Sequence, residues 1–162
     1  MESVSLLVDV QNVYYTTRQV HRCHFDYNAF WAKATHGRHV VNATAYAIDR
    51  QDQKQRQFQN ILKAIGFDVR LRPFIQRIDG SAKGDWDVGI ALDAMDYAEH
   101  SDVIVLVSGD GDFDILVDRI RSRKRSVVEV YGVESLTAAS LIQTADRFIP
   151  IESELLIKRV VT

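Results

Sequence analysis

Apolar residues along this chain form short β-branched runs, separated by longer stretches where they recur every three or four positions. Val103-Ile104-Val105-Leu106-Val107 is the densest run and reads as a strand buried on both faces. Residues 4–10 and Val40 to Ile48 read as two further strands, the second small and β-branched throughout and ending at Asp49-Arg50. Residues 67–75 alternate apolar and charged, which predicts a strand with one wetter face near an edge. Residues 127–131 give another strand with Gly132 as its turn, and Phe148-Ile149 a short edge strand.

Helical spacing fills the gaps. Residues 26–34 predict a helix with Asp26 as N-cap and Gly37 as its stop. Residues 51–65 predict a second, with Phe58, Ile61, Leu62 and Ile65 inward and Gly66 closing it. A loop over 78–84 leads into a helix over 85–99, striped by Val88, Ala91, Leu92, Met95 and Ala98. Residues 113–124 predict a helix with Phe113, Leu116, Val117 and Ile120 inward, and 135–145 a last one carrying Leu136, Ala139, Leu141 and Ile142. Residues 152–162 read as a short helix or a frayed end. Strands alternating with helices at short connections mean parallel βαβ units with right-handed crossovers. The expected fold is an α/β three-layer sandwich with a mainly parallel central sheet.

At 162 residues the chain fits one domain, 1–162, with a real core; 46% hydrophobic and 26% charged residues are ordinary for a soluble globular protein. A net charge of -2 does not decide for or against nucleic acid, because the distribution of charge matters there. Cys23 is the single cysteine, so no disulfide framework or thiolate cluster is expected. His21-Arg22-Cys23-His24 is too compact to hold one zinc ion and reads as a loop. The first residues lack the basic and long apolar regions of a signal peptide, and no apolar run approaches the ~18 residues of a membrane span. A cytoplasmic location and no membrane partner are therefore expected.

The chemistry lies where buried strands end. Ser108-Gly109-Asp110-Gly111-Asp112 follows the central strand, and Asp9-Val10-Gln11-Asn12 follows the first. In open parallel sheets ligands bind beyond the carboxyl ends of the strands. Asp9, the pair Asp110 and Asp112, and Asp85 or Asp87 at the start of a helix would meet at that edge. Clustered carboxylates repel one another unless a cation sits among them, and hard divalent ions, Mg²⁺ or Mn²⁺, prefer such oxygen ligands. Such an ion suits attack of water on a phosphodiester. Asn12 is placed to orient a metal water or a phosphate, and Ser108 to hydrogen-bond a carboxylate or a substrate oxygen. Taken singly, each acid is more often a turn or cap residue; the combination at two strand ends carries the argument. Asp93 is a weaker outer candidate and Asp96 reads as surface.

Among basic residues, Arg18, Arg22 and Lys83 are expected on loops near the acidic motifs as phosphate contacts. The run Arg119, Arg121, Arg123, Lys124 and Arg125 reads mostly as a solvated helix end. Tyr14, Tyr15 and Trp86 suit stacking on unpaired bases and packing beneath the loop equally well.

Three segments together resemble the NYN domains of the PIN-like nuclease superfamily, in particular their LabA-like bacterial branch: Val8-Asp9-Val10-Gln11-Asn12, Lys83-Gly84-Asp85-Trp86-Asp87-Val88-Gly89, and Ser108-Gly109-Asp110-Gly111-Asp112-Phe113. The ending Ala145-Asp146-Arg147-Phe148-Ile149 resembles that branch too. The resemblance implies a PIN-like Rossmannoid fold and a metal-dependent ribonuclease site. It puts the family's acids on Asp9, Asp87 and Asp110, as ligands of Mg²⁺ or Mn²⁺, with Asp112 and Asn12 supporting. The family often has one residue between its Lys-Gly pair and the acid; this chain has two, so Asp85 and Asp87 both stay open, with Asp87 preferred for its register with the helical stripe. RNA is the expected partner, and a homodimer stays open. Two other readings remain. One is a catalytically silent RNA-binding or regulatory module with the same fold. The other is a metal phosphohydrolase acting on a small metabolite, which Gln11 disfavours because a dehalogenase-type phosphatase wants an aspartate there.

Overall fold

A computed structural model describes residues 1–73, 75–76, 82–83 and 85–157, with backbone alone at 75–76 and 82–83. Among the described residues, ten strands and six α-helices follow one another: β1 Glu2–Asp9, α1 Val10–His21, β2 His24–Phe25, α2 Tyr27–Ala34, β3 Arg38–Asp49, α3 Gln53–Ile65, β4 Asp68–Pro73, β5 Ile75–Gln76, β6 Ala82–Lys83, α4 Asp87–Ala98, β7 Val103–Val107, α5 Asp114–Ser122, β8 Val127–Gly132, α6 Ala139–Thr144, β9 Arg147–Pro150 and β10 Leu156–Ile157. Three short 3-10 turns, at 111–113, 134–136 and 153–155, link them.

Six strands form one sheet in the order β4-β3-β1-β7-β8-β9, and every pairing in it is parallel. The chain winds outward from β1 through β3 to β4, then returns to the other side of β1 at β7. The strand order therefore reverses between β1 and β7, where a crevice opens at the carboxyl ends. The expected edge positions of 67–75 and Phe148-Ile149 are those of β4 and β9.

Alternation along the strands builds the layers. Val4, Leu6 and Val8 of β1 and Val103, Val105 and Val107 of β7 pack with Val13 of α1, Phe30 of α2 and Leu62 of α3. Leu7, Ile104 and Leu106 face the opposite way, onto Ile90 of α4, Val117 of α5 and Leu141 of α6. The fold is the expected three-layer α/β sandwich.

Three details differ from the sequence pattern. Arg18 and Arg22, expected on loops, belong to α1 and its left-handed C-cap. That helix is rich in β-branched and aromatic residues, which have low intrinsic helix propensity; the Asp9 cap and burial of Val13 and Thr17 hold it. In α4 the expected stripe is rotated: Val88 and Leu92 are 70% and 63% exposed, Ile90 and Ala94 are buried in their place, and Ala98 is buried as expected. Tyr46, buried on β3, donates its hydroxyl proton to Asp93 at 2.7 Å, and Arg70 reaches the same carboxylate at 2.6 Å. A polar residue thus faces the sheet, and the helix turns to present it. Finally, the single helix expected over 135–145 is a 3-10 turn followed by the shorter α6. The expected loop over 78–84 and the end 158–162 fall mostly outside the described residues.

Candidate active site

The acids are placed by backbone geometry before any side-chain contact is made. Asp9 ends β1 and caps α1, accepting the Asn12 N–H at 3.3 Å. Asp110 lies beyond β7 and caps the 3-10 turn at 111–113, accepting the Asp112 N–H at 2.9 Å. Asp87 is the first residue of α4, where the helix dipole favours a negative charge. These ends converge on the crevice between β1 and β7.

Two side chains tie the strand ends together. The fully buried Ser108 hydroxyl bonds to Asp9 Oδ2 at 3.3 Å and accepts the Asp110 N–H at 3.2 Å. Asn12 Oδ1 accepts the Gly109 N–H at 3.0 Å, fastening the β7 loop to α1. Ser108 thereby spends its hydroxyl on the acids and positions them; buried as it is, it does not present itself as a substrate contact. Gly111 is required by close packing: a Cβ there would lie 2.8 Å from the Cβ of Ala138.

Asp87, Asp110 and Asp112 each offer a carboxylate oxygen within 4.8 Å of the others. Asp9 stands outside that trio but within its field. Burial first, then the charges of Asp110 and Asp85, raise its carboxyl to about 6, against the lowering hydrogen bonds from Asn12 and Ser108. Asp87 is raised to about 7, by burial, then by the charge of Asp110 and a hydrogen bond shared with it, then by Asp85 and Asp9. Carboxylates gathered in this way are an all-oxygen donor set short of positive charge. A hard divalent cation fits that set by ligand type and charge. Asp85, the alternative to Asp87, is exposed, and the trio does not include it.

The NYN domain profile matches residues 3–152, nearly the whole described chain. The chain belongs to the NYN domain family. Low amplitude and bright protein LabA of Synechococcus elongatus is 32% identical over 116 residues, covering 68% of this chain; the chain spans 62% of that relative's length. A crystal structure of a protein of unknown function from Vibrio parahaemolyticus RIMD 2210633 is 56% identical, with TM-score 0.92 and 96% of each chain covered. This is a LabA-like NYN domain with the PIN-like sheet of that family.

The NYN domain does not bring every expected residue to its acidic edge. Arg18 sits about 13 Å along α1 from Asp9 and Arg22 about 20 Å, near the far end of the helix. Arg18 instead lies over the Tyr14 ring and donates to its hydroxyl, and Arg22 forms the left-handed C-cap. Lys83 pairs through its backbone with Ile75; its side chain lies outside the described part. In the basic run at the end of α5, Arg121 pairs with Asp146 and both Arg123 and Arg125 with Glu99. Tyr14 and Tyr15 are exposed, against edge-on packing with each other. Trp86 packs against Tyr46 and donates its indole N–H to the Ala47 carbonyl at 2.9 Å. Sequence reasoning passed over Arg72, whose guanidinium lies 5.0 Å from the centre of the Trp86 ring. The signal was present: Arg70 and Arg72 alternate with Val69 and Leu71, so both arginines share one face of the edge strand.

Proposed function

We propose that this NYN domain is a metal-dependent ribonuclease. The observation that supports it is the trio Asp87, Asp110 and Asp112 beside Asp9, at the point where a parallel sheet reverses its strand order. Hydrolysis of a phosphodiester forms a bond from water oxygen to phosphorus, breaks one P–O ester bond, and leaves a phosphomonoester and a hydroxyl. Asp87, Asp110 and Asp112 would hold Mg²⁺ or Mn²⁺, which when bound neutralises phosphate charge and acidifies water. Asp9, fixed by Ser108 and the Asn12 N–H and raised to about 6, is suited to take the proton of the attacking water near neutral pH. Asn12 holds the Gly109 N–H and so the position of Asp110. RNA as substrate follows from the family and from the nuclease-type acids.

Single-stranded RNA incubated with Mg²⁺ or Mn²⁺, and in parallel with excess chelator, tests this reading. Cleavage is expected only with metal. Undiminished cleavage in chelator would remove the metal mechanism. RNA binding without cleavage under any metal would leave a silent RNA-binding module.

A further inference from the structure

Beside the acids, at the carboxyl ends of β3 and β4, a groove of about 810 Å³ is lined by Arg50 and Arg72, by the carboxylates Asp49 and Asp52, and by Leu71 and Pro73. β3 pairs directly with β1, so this groove opens on the same sheet edge as Asp9, about 10 Å away at two strand spacings. One wall is an unusually constrained loop. Gln51 adopts a left-handed conformation, φ 57°, which a non-glycine residue takes only when its surroundings enforce it. The Gln51 N–H donates to Asp49 Oδ1 at 2.9 Å, the Arg50 N–H to Gln55 Oε1 at 2.6 Å, and Gln55 Nε2 to the Ile48 carbonyl. Asp52 accepts the Gln55 N–H at 2.7 Å. Both carboxylates of the loop are thus engaged by backbone N–H groups.

The other wall is fixed to the acids themselves. Arg72 donates to the Asp85 carbonyl at 3.0 Å and lies over Trp86, the residue before Asp87. Among the described residues no carboxylate pairs with it. Leu71 and Pro73 add apolar surface to the lining. A cluster of acids repels a polyanion, so affinity for RNA must come from cationic groups nearby. This groove supplies guanidinium, which matches phosphate, beside apolar surface that suits a sugar or base.

We propose that this groove is a subsite for single-stranded RNA, holding nucleotides that flank the scissile phosphate, with Arg50 and Arg72 on the backbone phosphates. The inference rests on the ribonuclease reading of the acids. Binding of a fluorescein-labelled single-stranded RNA in Ca²⁺, followed by anisotropy over a salt series, tests it. Arg50→Gln and Arg72→Gln are each expected to weaken binding about tenfold and to make the salt slope shallower by about one. Arg125→Gln, at the other end of the sheet, serves as the charge control and is expected to bind like the parent. Hydrolysis of bis(p-nitrophenyl) phosphate in Mn²⁺, a diester with no flanking nucleotides, is expected to fall far less than RNA binding in Arg50→Gln. Should Arg72→Gln melt lower through loss of its Trp86 contact, Arg50→Gln decides the matter alone. Parental affinity in Arg50→Gln, or equal loss on RNA and on the small diester, overturns the subsite while leaving the nuclease reading intact. A parent that binds RNA through these arginines but never cuts it overturns the nuclease reading and leaves the subsite. A parent that binds no RNA overturns the subsite.

Discussion

Asp87 has its carboxyl raised further than that of Asp9, and its position explains why. It begins a helix with its side chain turned towards Asp110, so its charge is opposed by partial burial and by a neighbour of the same sign. Removing that charge relieves repulsion, and asparagine keeps the shape. Asp87→Asn without metal is expected to unfold at a higher temperature than the parent, by about 1 kcal/mol once solvent screening of this half-exposed group is allowed for. The same variant is expected to lose cleavage, whereas Asp85→Asn, exposed and outside the trio, keeps most of it. Thermal melts and RNA cleavage of the two variants check this; the opposite pattern would assign the metal to Asp85. Ser108 offers a finer probe. Ser108→Ala removes a buried hydroxyl bonded to Asp9 and to the Asp110 N–H, a loss of about 1 kcal/mol of stability. It also removes a bond that lowers the Asp9 carboxyl, so the acidic limb of the pH–rate profile is expected to move to higher pH. An unmoved limb would mean that Asp9 is not the titrating base.

At the scale of elements, the 3-10 turn after β7 is held as tightly as any part of the site. Gly111→Ala forces a methyl against Ala138, and about 1–3 kcal/mol of destabilisation is expected. Because the same turn carries Asp112, affinity for Mn²⁺ is expected to fall in titration calorimetry, more than in a variant of equal stability elsewhere. The meeting of Asp9 with Asp110 was legible in the sequence, because each follows a continuous apolar run and strand ends of a parallel sheet share one edge. The rotation of α4 was not, because periodicity counts apolar positions and the sheet-facing Asp93 is polar, stabilised by Tyr46 and Arg70 from other strands. For the same reason the register argument that favoured Asp87 rested on a stripe that is in fact exposed at Val88 and Leu92, although Asp87 does join the trio. The helix α1 escaped notice because its residues are poor helix formers and its stability comes from a cap and a buried face. Placing Arg72 over Trp86 required knowing that β4 pairs beside β3, a long-range fact that no local pattern encodes.

Across the whole molecule the raised carboxyls make stability depend on pH. Asp9 and Asp87 hold protons in the folded state up to about 6 and about 7, while unfolded aspartates release them near 3.8. Between those values the folded state binds more protons than the unfolded one, so stability is greatest at the acidic end and falls as pH rises through 6 and 7. Metal-free protein is therefore expected to melt lower at about pH 8 than at about pH 5, with a flatter profile in Asp87→Asn. Adding Mn²⁺ is expected to reverse the trend, since ligands must be deprotonated to bind. Melting curves across pH, with chelator and with Mn²⁺, measure both slopes; parallel curves for parent and variant would contradict the coupling. The measurement closest to the centre of the account is anomalous diffraction from crystals soaked in Mn²⁺. A peak bonded to carboxylate oxygens of Asp87, Asp110 or Asp112 is expected, absent in Asp87→Asn. Full Mn²⁺ exposure with no anomalous density among these three acids would contradict the proposed metal centre.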